Sequence, residues 1–190
     1  MEITTRSLWT LIHGMGFGAL YLLAASGALL AIWQRWQPAL SLNISHASDR
    51  FLKTYLVLMA LLAWFSVLTG TYLIYPWYRS PAPGGRVDLA AYPRSLLLAS
   101  PSTSAWHTIG MEWKEHVAWL VPIAISTVAV IVLRYGADLV HYPELRTGLL
   151  TLVVASLVTA AIAGFFGAML NKEAPVAGGV TLRLVRGGSK

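Results

Sequence analysis

The residues of this chain that are best suited to chemistry are histidines in or beside uncharged, apolar sequence. His13 lies inside the charge-free stretch from Ser7 to Gln34, and His116 begins another that ends at Leu133. Ionisable side chains within membrane-spanning segments are rare and usually functional. A neutral imidazole can ligate haem iron or another metal, and it can also carry a proton. The sequence contains no cysteine, which excludes thiolate metal sites and covalent haem attachment.

Glycines are concentrated near these two histidines. If the charge-free stretches cross a membrane in alternating directions, the first and third run in parallel, and His13 and His116 then lie at a similar depth. Glycine at that depth either lets helices approach closely or leaves a slot for a flat cofactor. A bis-histidine haem b needs two neutral imidazoles on opposite faces of a ring enclosed by apolar walls. We therefore predict a haem b that is ligated by His13 and His116 and enclosed by Gly14, Gly16, Gly70 and Gly164.

Two other interpretations of these residues stay open, a packing role and a copper site. A histidine inside a span can hydrogen-bond a neighbouring helix, and glycines in membrane helices are most often packing residues. His107, Met111 and His116 offer nitrogen and thioether ligands for copper. In a continuous helix, however, His107 and His116 are about 13.5 Å apart along the axis and lie on opposite faces. They can share one ion only if the helix breaks at Gly110.

A quinol or proton site is a further alternative. Tyr72 and Tyr75 lie near the end of the second charge-free stretch, and Glu112, Glu115 and His116 lie near the start of the third. A pocket for a small ligand is mostly apolar and has a few polar groups that fix the ligand's orientation. Anchoring at the membrane interface is the simpler explanation for the tyrosines.

Four charge-free stretches are long enough to position these residues on membrane-spanning helices, which need about 20 apolar residues each. Only 12% of the 190 residues are charged, compared with about 25% in soluble domains. Trp9, Trp33, Trp77 and Trp113 mark the ends of the stretches, as in the aromatic belts of membrane proteins. The predicted fold is all-α, an integral membrane four-helix bundle with a long extramembrane loop between helices 2 and 3. Its spans cover about residues 8–33, 54–77, 113–134 and 147–170, and both termini lie on one side of the membrane.

The long loop and the C-terminal tail indicate contacts with other proteins. Residues 1–175 form the predicted membrane domain, and residues 176–190 form a C-terminal extension that is expected to be mobile or bound to a partner. The loop from Arg79 to Trp106 greatly exceeds the roughly 2–8 residues of ordinary bundle connections. We therefore predict that both segments dock other subunits of a membrane complex.

The span count and the placement of His13 and His116 resemble those of the four-helix membrane b-type cytochromes. That resemblance implies that His13 and His116 are axial ligands of haem b, and it assigns no other position. Many of those proteins hold two haems through several intramembrane histidines, whereas this chain has one well-placed pair.

Several function classes are disfavoured by the sequence. The net charge of +6 comes from basic residues that lie between apolar runs, where they suit lipid headgroups better than nucleic acid. The sequence has no phosphate-binding loop, dinucleotide fingerprint or nucleophile elbow. We predict an electron-transfer or anchor subunit of a respiratory-type complex in the bacterial inner (cytoplasmic) membrane, with the lipid bilayer, other subunits and quinone as partners. The alternatives are a cofactor-free structural accessory subunit and a quinol-binding subunit.

Overall fold

Four long helices dominate the computed structural model, which describes residues 2–35, 46–85 and 87–183. They are α1 (Thr5–Gln34), α2 (Ser48–Arg79), α4 (Pro101–His141) and α5 (Pro143–Glu173), and a short helix, α3 (Pro93–Leu98), lies in the long loop. The most apolar windows of the four have mean hydropathies between 1.9 and 2.4. Each is therefore long and apolar enough to span a membrane, and each contains one of the predicted spans.

The long helices pack as a ring in which each contacts its neighbours in the chain and α5 contacts α1. In this ring α1 and α4 lie diagonally across from each other. Polar side chains join the helices inside the apolar core. The Tyr21 hydroxyl is hydrogen-bonded to the Ser156 hydroxyl, and Ser156 Oγ donates to the Val121 carbonyl at 3.3 Å. The fully buried centre of the core is formed by Tyr21, Ile32, Leu56, Ile125, Val128, Leu149 and Val153.

A turn at residues 117–119 interrupts α4 just before Pro122. Proline has no backbone N–H to donate, and its ring crowds the carbonyl four residues earlier. The turn is closed by backbone hydrogen bonds between residues three apart, from Leu120 N to Val117 O at 3.1 Å and from Val121 N to Ala118 O at 3.2 Å. The part of α4 before the turn, which begins at the Ser100 N-cap, can therefore take a direction different from the part after it.

Three of the long helices widen into π-helical segments toward one end of the bundle. The segments are Ile12–Ala19, Gly70–Ile74 and Trp106–Met111, and they carry His13, Gly70 and His107. A π-helical segment is rare in an ordinary helix and often marks a functional site. The π-helical segments therefore lie at the same end of the bundle as His13 and His107.

We call this the terminal end, because the first and last described segments of the chain pair there. Strand β1 (Glu2–Thr4) pairs antiparallel with strand β2 (Thr181–Arg183), and Thr5 N donates to Val180 O at 2.9 Å. The tail thus pairs with the start of the chain as far as Arg183, and the mobile or partner-bound extension over residues 176–190 stays a prediction. The rest of the predicted extension, residues 184–190, lies outside the described residues.

The long loop also packs on the terminal end. Leu97 of α3 is buried in an apolar cluster with residues of α2, α4, α5 and the tail, namely Tyr78, Met111, Leu170, Ala174 and Val176. Burial of this apolar surface holds the loop over the ends of α2 and α4. Docking of another subunit stays a prediction. It concerns the surface of the loop and tail that is still exposed.

Reporter fusions test the paired termini. Fusions at the amino and carboxyl ends are expected to report the same side of the membrane, because β1 and β2 form one sheet. A reporter inserted at Tyr142, in the exposed connection between α4 and α5, should report the opposite side. Opposite signals from the two termini would contradict the four-helix topology.

Candidate functional site at the terminal end

His13 is held inside the bundle by α2. Its Nδ1 lies 3.1 Å from Thr69 Oγ1, and that hydroxyl donates to the Phe65 carbonyl at 2.6 Å. Because the single hydroxyl hydrogen of Thr69 is used in this way, Thr69 accepts a hydrogen bond from Nδ1–H. His13 therefore has an unprotonated Nε2, which is free to ligate a metal or to accept a proton.

Gly70 provides the space for the His13 ring. A Cβ at Gly70 would lie 2.8 Å from His13 Cε1, so the imidazole fills the volume that the absent side chain leaves. The other predicted slot glycines do not line this ring. A Cβ at Gly14 would meet no atom within 4 Å, one at Gly16 would contact Ile12, and one at Gly164 would contact Leu22.

His116 lies in different surroundings. Its side chain is 71% exposed, and its Nδ1 is 3.0 Å from the Glu112 carbonyl oxygen and 3.6 Å from Glu112 Oε2. Nδ1–H therefore donates within its own helix. The structure fixes His13 in the interior and leaves His116 on the exposed face of α4, so the two imidazoles do not flank a common space. For a bis-histidine haem, the surroundings of His13 fit and the orientation of the His116 side chain does not.

His107 is buried, in contrast to His116. Its Nδ1 is 2.8 Å from the Tyr78 hydroxyl, and the side chains of both residues lie at the junction of α2 and α4. The opposite exposure of the two histidines agrees with the nine-residue spacing that separates them on opposite helix faces. In the described part of the chain, no three His, Asp or Glu side chains are placed to hold one metal ion.

Tyr75 and Glu115 form the contact that the quinol alternative requires. The Tyr75 hydroxyl donates to Glu115 Oε2 at 2.7 Å, and Arg79 Nη1 donates to the same hydroxyl. Arg79 Nη1 also lies 3.9 Å from Glu115 Oε2. The other residues of that alternative lie outside the cluster, since Tyr72 is 67% exposed and Glu112 bonds only with His116 among the described residues.

Two buried polar atoms beside this cluster lack hydrogen-bond partners among the described residues. They are Glu115 Oε1 and Arg94 Nε, and the Arg94 charge acts on both Tyr78 and His107. An unsatisfied buried polar group costs about 1–3 kcal/mol. Such groups in a native structure need an explanation, which can be a bound water or ion, a ligand or a functional requirement.

Lys114, at the start of the third predicted span, is a functional candidate that the sequence analysis did not identify. Its side chain is half-buried, and a Cβ at Gly167 would be 2.9 Å from Nζ. Lys114 follows the buried residues His107 and Met111 at helical spacing, and this pattern was a signal that it faces inward. Charged residues within membrane-spanning helices are rare and usually have a function.

Comparison with known proteins does not add to this evidence. No protein-family model, curated protein or solved structure matches the chain. The chemistry of the terminal end therefore has to be inferred from its residues. The end combines an imidazole acceptor, a buried carboxylate oxygen and several cationic or hydroxyl donors within an apolar bundle.

Proposed function

We propose that this protein is an integral membrane four-helix bundle of the bacterial inner (cytoplasmic) membrane. The proposal is supported by the four apolar helices and by the large apolar side chains on their outer surfaces. An apolar surface of this extent needs a lipid or protein partner. Exposed residues on all four helices contribute to it, including Leu23, Phe51, Phe65, Val130 and Val158.

We propose further that the protein is a quinol-binding subunit of a respiratory-type electron-transfer complex. The observation that carries this proposal is the Tyr75–Glu115 contact, which leaves Glu115 Oε1 buried and unpaired among the described residues. A carboxylate oxygen of this kind accepts a hydrogen bond from a ligand hydroxyl. The apolar residues around the contact suit the rest of the quinol ring, and Arg79 holds the tyrosine in place.

The residues also suit the chemistry of quinol oxidation. Oxidation releases two electrons and two protons from the headgroup. Glu115 can accept a proton directly from the bound hydroxyl, and Tyr75 orients the carboxylate by donating to its other oxygen. The two electrons pass one at a time to a one-electron redox centre of the complex, and the second proton is released to water. The anchoring role and the contacts with other subunits belong to the same proposal.

Quinone binding by the wild-type protein is the test of this function. We expect a short-chain quinone to bind the detergent-solubilised protein saturably and to quench tryptophan fluorescence, because several tryptophans, including Trp77, Trp106 and Trp113, lie at the terminal end. The matched control is a short-chain hydrocarbon without the quinone oxygens. Equal quenching by both compounds would show partition into detergent only.

A haem b subunit is the second candidate, and His13 is the observation that favours it. The Thr69 contact fixes the imidazole and leaves Nε2 unprotonated, as a haem ligand requires. When bound, a haem b supplies one-electron transfer. His116 is the predicted second ligand, and its side chain would have to leave the Glu112 carbonyl to serve. A reduced-minus-oxidised absorption spectrum of the purified protein tests this candidate.

A further inference from the structure

Tyr78 and His107 form a buried polar pair that the quinol site as described so far does not use. The Tyr78 hydroxyl lies 2.8 Å from His107 Nδ1, and only 3% of Tyr78 and 7% of His107 are exposed. A hydroxyl can donate or accept a hydrogen bond, and so can an imidazole nitrogen, according to the tautomer. The hydrogen between the two atoms can therefore belong to either residue, as a proton-transfer step requires.

The pair lies in the same helix junction as the Tyr75–Glu115 contact. Tyr75 and Tyr78 are three residues apart on α2, which makes them neighbours on one helix face. Their partners, Glu115 and His107, are both on α4. Met111 lies midway between those partners, and it is buried in one apolar cluster with Tyr78, against which Tyr75 packs. The two hydrogen-bonded pairs are therefore connected by packed side chains between α2 and α4.

Within this junction, the Tyr78–His107 pair lies on the outer side. Tyr78 is closer than Tyr75 to the end of α2, and His107 is closer than Glu115 to the start of α4. Among the described residues, His107 is hydrogen-bonded through Nδ1, and its Nε2 is not one of the buried atoms that lack a partner. His107 Nε2 therefore reaches the molecular surface at the terminal end, while Nδ1 faces the Tyr78 hydroxyl inside.

We propose that Tyr78 and His107 form a proton relay from the quinol site to the water at the terminal end. The proton leaves Glu115 by way of Tyr75, which is hydrogen-bonded to the carboxylate at 2.7 Å. As a proton arrives at the Tyr78 oxygen, the hydrogen of that hydroxyl passes to His107 Nδ1. The imidazolium that forms then loses its Nε2 proton to water, so both side chains end neutral and no electron moves. This inference rests on the proposed quinol-binding function.

The first test uses Tyr78→Phe, which keeps the buried ring and removes the hydroxyl. We measure quinol-dependent electron transfer in membrane vesicles that contain the chain in its native complex, over a range of short-chain quinol concentrations. We expect kcat to fall about tenfold or more, because a positioned proton-transfer group typically contributes about 10²–10⁴-fold. KM should stay unchanged, because the pair does not bind the quinol. Tyr142→Phe, at a side chain that is 52% exposed, is the matched control and should change neither value.

The second test uses His107→Ala with imidazole added to the vesicles. The replacement is expected to lower kcat as Tyr78→Phe does, and free imidazole should restore much of the rate by accepting the proton in place of the missing side chain. Imidazole should not restore the rate of Tyr78→Phe, in which the acceptor ring is still present. Restoration by imidazole is a result that a purely structural role of His107 would not give.

The possible results separate the relay from the function on which it rests. If wild-type vesicles transfer electrons from quinol no faster than vesicles without the chain, the proposed function and the relay both fail. If the wild type is active and Tyr78→Phe has the same kcat, the relay is wrong and the quinol site stands. A raised KM in Tyr78→Phe, or a loss in His107→Ala that imidazole does not restore, would assign the pair to ligand binding or packing and would also overturn the relay.

Discussion

Replacing Glu115 with Gln is expected to weaken quinol binding by about tenfold or more. The change keeps the size of the side chain but removes the charge that a ligand hydroxyl would meet at Oε1. A hydrogen bond to a charged group contributes about 1.5–3 kcal/mol, and each 1.4 kcal/mol corresponds to about a tenfold change in affinity. The measurement is an equilibrium titration of the purified variant with a short-chain quinol.

Glu112→Gln is the matched control for this prediction. Glu112 lies one helical turn before Glu115 on the same helix, and its side chain is 51% exposed, compared with 19% for Glu115. The control variant should bind quinol as the wild type does. Similar losses in both variants would indicate a general effect of the α4 carboxylates on the headgroup and would contradict a specific role for Glu115. Unchanged affinity in Glu115→Gln would remove the carboxylate from the site.

Replacing His13 with Ala is expected to abolish the haem absorption band if the protein purified from a haem-replete host carries haem b. The replacement removes the imidazole whose Nδ1 is bound by Thr69 and leaves an open volume beside Gly70. The measurement is the reduced-minus-oxidised spectrum of each variant. His116→Ala should abolish or convert the low-spin spectrum if its side chain is the second ligand.

His141→Ala is the control for the haem prediction, because His141 is exposed at the far end of α4. It should leave the spectrum unchanged. A band that persists in His116→Ala would indicate another second ligand, and Met111, which is buried on the inner face of α4, would be the first residue to replace. No haem band in the wild type, together with normal accumulation of His13→Ala, would show that His13 is a packing residue.

The four helices could be predicted from the sequence because bilayer thickness and helix rise together determine the length of a charge-free span. The direction of side chains at the ends of the spans was harder to predict. Lys114 was not among the predicted site residues, although its spacing from Met111 aligns it with the buried face. Charge alone is a poor guide near an interface, where a long side chain can reach either water or the protein interior.

The site glycines show why contacts could not be predicted. Depth along the helix correctly associated Gly70 with His13, but depth carries no information on rotation about the helix axis. The structure places the ring itself in the space at Gly70, and it places His116 on the exposed face of α4. The return of the tail to β1 also depends on pairing across almost the whole chain, between residues such as Ile3 and Leu182. Such long-range strand pairs leave little trace in local sequence patterns.

The number of quinol molecules bound per chain at saturation tests the proposed function most directly. It can be measured by equilibrium dialysis of the detergent-solubilised protein, with protein-free detergent as the correction for partition. A quinol-binding subunit with one site at Glu115 predicts a plateau at one molecule per chain. Uptake that rises linearly with quinol concentration and never exceeds that of the detergent would contradict a quinol site in this protein.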